Sequence, residues 1–107
     1  MNTRYFIYIM ASNCNRVVYV GITKDLHRRI FEHQSRSKSG FTEQYKVTKL
    51  VHYEVYYYVN DAIAREKQLK KWRRVWKDDL IPTNNPSWFD LSDDPRIPPS
   101  IEISNPH

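Results

Sequence analysis

The sequence predicts an α/β domain of the α+β kind, a three-stranded antiparallel sheet flanked by about three helices. Three observations predict it. Two aromatic and β-branched runs flank four polar residues, a third such run follows residue 46, and helical periodicity appears after the second run and again after the third.

Residues 4–11 and 16–22 are the first two runs, separated by Ser12-Asn13-Cys14-Asn15, the pattern of a β-hairpin. With Asn13 and Cys14 at the turn centre, Ser12 faces Asn15 and Tyr8 faces Tyr19. Alternation puts Ile7, Ile9, Val18, Val20 and Ile22 on one face, expected as core. Phe6, Tyr8, Met10, Tyr19 and Gly21 share the other, where the glycine leaves space above two phenols.

From Asp25 to about Gln34, Leu26 and Ile30 recur at helical spacing, with Thr23 or Lys24 as the entry. Arg29 and His33 then lie one turn apart on one face. Ser35–Gly40 is small and polar and is expected as a mobile loop. Residues 47–59 return to strand composition and complete the sheet. Asn60 or Asp61 is placed to cap a second helix, whose stripe runs through Ala62, Glu66, Leu69, Arg73 and Trp76. A third short helix is predicted over 76–81, ended by Pro82. Past Leu91 the chain is acidic and holds four prolines, so a domain over 1–91 and a flexible or loosely docked tail over 92–107 are expected.

At 107 residues there is room for one modest core. Residues 1–77 hold 16 Lys and Arg against 6 Asp and Glu, whereas 78–107 hold 1 against 6, so a basic body carries an acidic tail. A basic surface attracts polyanions through counterion release, which points to nucleic acid, or else is solvated without a partner. The single cysteine, Cys14, excludes an internal disulfide framework and fits a reducing compartment. The N-terminal apolar run turns polar at Ser12 and Asn13, too short for a signal-peptide core or a membrane span, so a cytoplasmic protein without a membrane partner is expected.

Glu66 stands out because a carboxylate in an apolar stripe must meet a cation, a donor or a metal. It has two readings, a salt bridge to a nearby Lys or Arg and a ligand for Mg2+ or Mn2+, ions that take one carboxylate plus water and substrate phosphate. The paired phenols are sheet packing or a reactive pair; a Tyr needs help to act as a base, since its reference pKa is about 10. Arg29 either pairs with Glu32 or presents its planar fork to a phosphate. His33 belongs to the residue type best suited to exchange protons near neutrality, although surface and core histidines are commoner. Together these groups cover a base, a cation and a metal site, the roles that phosphodiester cleavage needs.

The pattern resembles the GIY-YIG nuclease family, in its small stand-alone bacterial members. Its two strand motifs read here Phe6-Ile7-Tyr8 and Tyr19-Val20-Gly21, with Phe6 in the place of the family's Gly and Val20 in that of Ile. The signature continues through Ile22-Thr23-Lys24-Asp25-Leu26 to Arg29-Ile30 and His33, then Arg65-Glu66-Lys67-Gln68-Leu69-Lys70 and Asn84-Asn85-Pro86-Ser87-Trp88, covering about residues 4–91. The resemblance implies a metal-dependent DNA endonuclease, of the kind used in DNA repair or recombination, or a binding module of the same fold that cuts little. It implies Tyr8 and Tyr19 around the attacking water, one of them as base, Arg29 on the scissile phosphate, His33 assisting proton transfer or holding the tyrosine, Glu66 on the divalent metal, and Asn85, or Asn84, near the site. Arg28, Lys67, Lys70, Lys71 and Arg74 would grip flanking phosphates. RNA is the alternative polymer, because Tyr and Trp with basic neighbours suit unpaired strands.

Overall fold

The structure, a computed structural model, describes residues 3–36 and 46–98. Its elements are β1 (Tyr5–Ala11), β2 (Val18–Thr23), α1 (Leu26–Arg36), β3 (Lys49–Tyr56), α2 (Val59–Lys71), α3 (Arg74–Leu80) and a 3-10 turn over Ile81–Thr83. The three strands form one antiparallel sheet in the order β2-β1-β3.

The central strand is buried on both faces, which explains its unbroken apolar run. Ile7, Ile9 and Ala11 join Val20 and Val51 under Ala62 and Leu69 of α2 and Ile81. Phe6, Tyr8 and Met10 join Leu50 under Leu26 and Ile30 of α1, together with Ile97. The sheet face expected to be open above the phenols is therefore a second core, closed by the i,i+4 apolar pair of α1.

The hairpin register differs from the expected one by two residues. Tyr8 faces Gly21 and Tyr19 faces Met10, because the connection is longer than a two-residue turn. Ser12 is fully buried and closes that loop. Its N–H donates to the Val17 carbonyl at 3.0 Å, and its Oγ accepts the N–H groups of Arg16 and Val17 at 3.1 Å each. Asn15 takes the left-handed conformation the loop needs, φ 59°, which Asn tolerates. A slip of two keeps every side chain on its face, so the two phenols remain neighbours, now diagonally.

α2 starts at Val59, after an extended Tyr58 that makes no side-chain cap, so the expected caps Asn60 and Asp61 lie inside the first turn. Asp61 there still complements the helix N-terminus. The stripe expected to continue to Trp76 is broken where Trp72 and Arg73 are extended, and α3 restarts at Arg74. Arg74 fastens that restart: it pairs with Asp78 at 2.7 Å, donates to the carbonyls of Arg16 and Asn15 in the hairpin loop, and lies over the Trp88 ring.

A flexible or loosely docked tail was expected from residue 92 onward, and residues 92–98 dock against the domain. The Leu91 N–H donates to the Leu50 carbonyl at 2.7 Å, Asp94 accepts from the Tyr53 hydroxyl, and Ile97 is buried in the second core. Of the loop expected at 35–40, residues 35 and 36 instead end α1, which runs a fraction of a turn further than its apolar spacing required, and residues 37–40 lie, like 99–107, outside the described residues.

A bulge in β3 leaves Val51 between the partners of Ile9 and Met10. The buried Asn85 amide satisfies it, donating to the Val51 carbonyl at 3.1 Å and to that of Phe89 at 2.9 Å, while its oxygen accepts the Phe89 N–H at 3.0 Å. The same turn holds Trp88 at φ 56°, a conformation that a bulky residue adopts only when held there. Asn85→Ala should therefore destabilise the fold by about 1–3 kcal/mol through unsatisfied buried groups. Urea unfolding of the variant beside the wild type checks this, and an unchanged midpoint would contradict it.

Candidate active site

The site starts from Tyr8, which sits at the middle of the central strand and is only 1% exposed. Its phenol lies across β2 because position 21, directly opposite, has no side chain: a Cβ there would fall 2.3 Å from the Tyr8 hydroxyl and 2.4 Å from Cζ. That space directs the hydroxyl toward α1, where it meets His33 Nε2 at 3.4 Å. Tyr19 completes the group, its ring centroid 6.1 Å from Tyr8 and 4.9 Å from His33. Unlike Tyr8, Tyr19 is 44% exposed, so the cluster has one sheltered phenol and one that water reaches.

Burial, and then the neighbouring Tyr19, push the Tyr8 phenol well above its ordinary 10, while Arg29 pulls the other way. Tyr8 is thus a neutral hydroxyl, and the direction of its hydrogen bond with the imidazole follows the His33 tautomer. Glu32 also acts on it, so Arg29 and Glu32 stand within electrostatic reach of the phenol. Glu32 holds two guanidinium groups on the exposed face of α1, Arg29 at 3.3 Å and Arg28 at 3.1 Å. The i,i+3 and i,i+4 spacings account for both pairs.

Glu66 approaches from the other side of the sheet. It lies between Ala62 and Leu69 on the packing face of α2, with its side chain 16% exposed, and pairs with the more open Lys70 at 2.8 Å. Its hydrogen bond holds the Lys70 ammonium above the ordinary lysine value, and Tyr19 adds to that effect. Lys70 is thus the member of that pair that stands within electrostatic reach of the open phenol. α1 covers one sheet face and α2 the other, so Tyr8 lies on the α1 side of the sheet, with Tyr19 and His33 against it, and Glu66 is carried by the helix on the α2 side.

Of the residues singled out from sequence, Tyr8, Tyr19 and His33 are in mutual contact, Arg29 stands within electrostatic reach of Tyr8, and Glu66 is paired with Lys70, which stands within electrostatic reach of Tyr19. Asn85 commits its amide to backbone groups of β3 and of its own turn. Lys67 and Lys71 are exposed on α2. Arg28 is engaged by Glu32, and Arg74 is engaged inside the fold. The salt bridge that was one of the two readings of Glu66 is made with Lys70, its i,i+4 neighbour.

Among the described residues no three His, Cys, Asp or Glu side chains gather closely enough to enclose a metal ion. The donor set on offer is the single sheltered carboxylate of Glu66. That suits Mg2+ or Mn2+, which keep several waters and bind through one carboxylate plus substrate phosphate, better than it suits a closed protein cage. A shallow groove lined by Tyr56, Arg65 and Gln68 lies on the opposite flank of α2, where Glu54 holds Arg65 in a bidentate pair. Burial raises the Glu54 carboxyl, but hydrogen bonds from His52, Arg65 and Tyr56 outweigh it and hold the group down at about 2, a structural ion pair under α2.

The sequence pattern of the GIY-YIG catalytic domain matches residues 4–79. A UPF0213 protein of Haloquadratum walsbyi is 30% identical over 80 residues, covering 75% of this chain and 89% of that protein. A UPF0213 protein of Staphylococcus epidermidis is 28% identical over 78 residues, 73% and 94% of the two chains. The solution structure of a UPF0213 protein from Bacillus halodurans matches 86% of this chain and 97% of its own, with a TM-score of 0.54 and 22% identity, a likeness of fold.

Proposed function

This chain belongs to the GIY-YIG catalytic domain family, and from that membership we propose that it is a metal-dependent endonuclease that hydrolyses phosphodiester bonds in DNA. The observation that supports this most is the contact of Tyr8, Tyr19 and His33 beside β2, with Arg29 in electrostatic reach of Tyr8 and Lys70, the partner of Glu66, in electrostatic reach of Tyr19.

A phosphate arriving there meets Arg29 first. Its fork exchanges Glu32 for the phosphate oxygens and stabilises the charge that builds on them as water attacks. The water lies against Tyr19, the open phenol, and its proton passes to the Tyr19–His33 pair. In the tautomer protonated at Nε2, the Tyr8 hydroxyl oxygen accepts that N–H and orients His33, so that Nδ1 keeps the lone pair that takes the proton by way of Tyr19. Glu66 would hold Mg2+ or Mn2+, and the ion would supply charge neutralisation at the leaving oxygen. Lys67 and Lys71 grip flanking phosphates and set position without reading sequence. A cytoplasmic role in DNA repair or recombination fits such an activity.

A second reading is favoured by one observation: Arg29 and Glu66 are both already ion-paired, as in a module that binds nucleic acid and cuts it little. Supercoiled plasmid separates the two. With Mg2+ or Mn2+ the wild type should nick it, chelation should stop the reaction, and Glu66→Ala should reduce it by at least about 10²-fold. Nicking that is absent, or equal in the variant, would leave the binding module as the better account.

A further inference from the structure

The run from Arg65 to Lys77 contains seven Lys and Arg against one acid, and two indoles interrupt it. Trp72 packs on the first core, and Arg65 lies over its ring at 5.3 Å from the centroid. Trp76, the first turn of α3, meets Trp72 edge to face at 6.0 Å and 88°. It is nevertheless 51% exposed, beside the exposed Val75 and Arg73. Neither indole takes part in the chemistry at the β2 edge. The pair amounts to a supported ring: Trp72 is held by the core and by Arg65, and it fixes Trp76 while leaving half of that indole open.

An open, rigid aromatic face within a basic surface matches a polymer that alternates phosphate with planar base. The acids of α3, Asp78 and Asp79, do not reverse that balance, since residues 65–79 still hold seven Lys and Arg against three acids. A stacked duplex offers no base face to such a ring, whereas an unpaired strand does. We propose that Trp76, propped by Trp72, stacks a base of a single-stranded DNA arm leaving the duplex, while the lysines of α2 follow its phosphates. This rests on the nuclease reading for the duplex part and names the substrate class, duplex DNA with an unpaired arm.

The test compares a blunt duplex with the same duplex carrying a single-stranded DNA arm, at one fixed salt concentration. Wild type should bind the armed duplex about tenfold more tightly. Trp76→Ala should lose that preference while binding the blunt duplex within about twofold of wild type, and Trp76→Phe, which keeps a ring, should retain most of it. Equal binding of both duplexes by wild type, or an arm preference unchanged in Trp76→Ala, overturns the proposal. So does a Trp76-dependent preference for an RNA arm over a DNA one, or a concentration-dependent dimer that is lost in Trp76→Ala. Nicking that still depends on Glu66 in any of those cases would leave the nuclease reading standing without the stacking site.

Discussion

Gly21→Ala is expected to lower stability by roughly 1–3 kcal/mol and to remove most cutting activity. The added methyl would fall 2.3 Å from the Tyr8 hydroxyl, 2.4 Å from Cζ and 2.7 Å from Cε1, so the ring itself must move. Tyr8 has little room to do so, being buried among Phe6, Leu26 and Ile30. Because ring carbons as well as the oxygen are struck, adding Tyr8→Phe would not relieve the clash. The phenol would be driven off His33, and the orientation of the imidazole would go with it. Thermal unfolding and plasmid nicking measured on the same preparation check both halves. A variant that folds and cuts like the wild type would mean that the Tyr8 position matters to neither.

The second large effect is expected at Arg29. Replacing it by alanine should slow turnover by about 10²–10³-fold, the usual range for one group aimed at developing charge in a transition state. Stability should change little, since Arg29 is exposed and its pair with Glu32 lies at the surface. Arg29→Lys should recover only a small part, because a point charge does not reproduce the planar fork. Single-turnover cleavage separates this from weaker binding: the loss should appear in the rate at saturating protein. A loss confined to affinity would make Arg29 a phosphate grip like Lys67 and Lys71.

Much of this was legible in the sequence. Alternation along residues 5–11 and 18–23 put Tyr8 and Tyr19 on one face, and it survived a register error because a slip of two preserves faces. Helical spacing put Arg29 and His33 together and brought Glu66 into the buried stripe. What local pattern could not carry was tertiary. The buried Ser12 lengthened the hairpin loop by drawing three backbone groups onto itself, and nothing in its neighbours signals that. Asn85 looked like a site residue from its motif, while its amide answers a bulge 34 residues away. Ile97 lies in a segment whose prolines and acids read as flexible or loosely docked, and it fills a gap under α1 that only the assembled sheet creates. Arg74, a basic residue on a basic helix, turned out to be a fastener for a loop 58 residues earlier.

Crystals grown with Mn2+ and a short duplex whose phosphodiester resists hydrolysis, read by anomalous scattering, test the shared site most directly. The peak should sit within bonding distance of a Glu66 oxygen and of one phosphate oxygen, with Arg29 on that phosphate and Tyr19 facing its opposite side. Manganese bound away from Glu66, or a phosphate backbone that bypasses the β2 edge, would contradict the account.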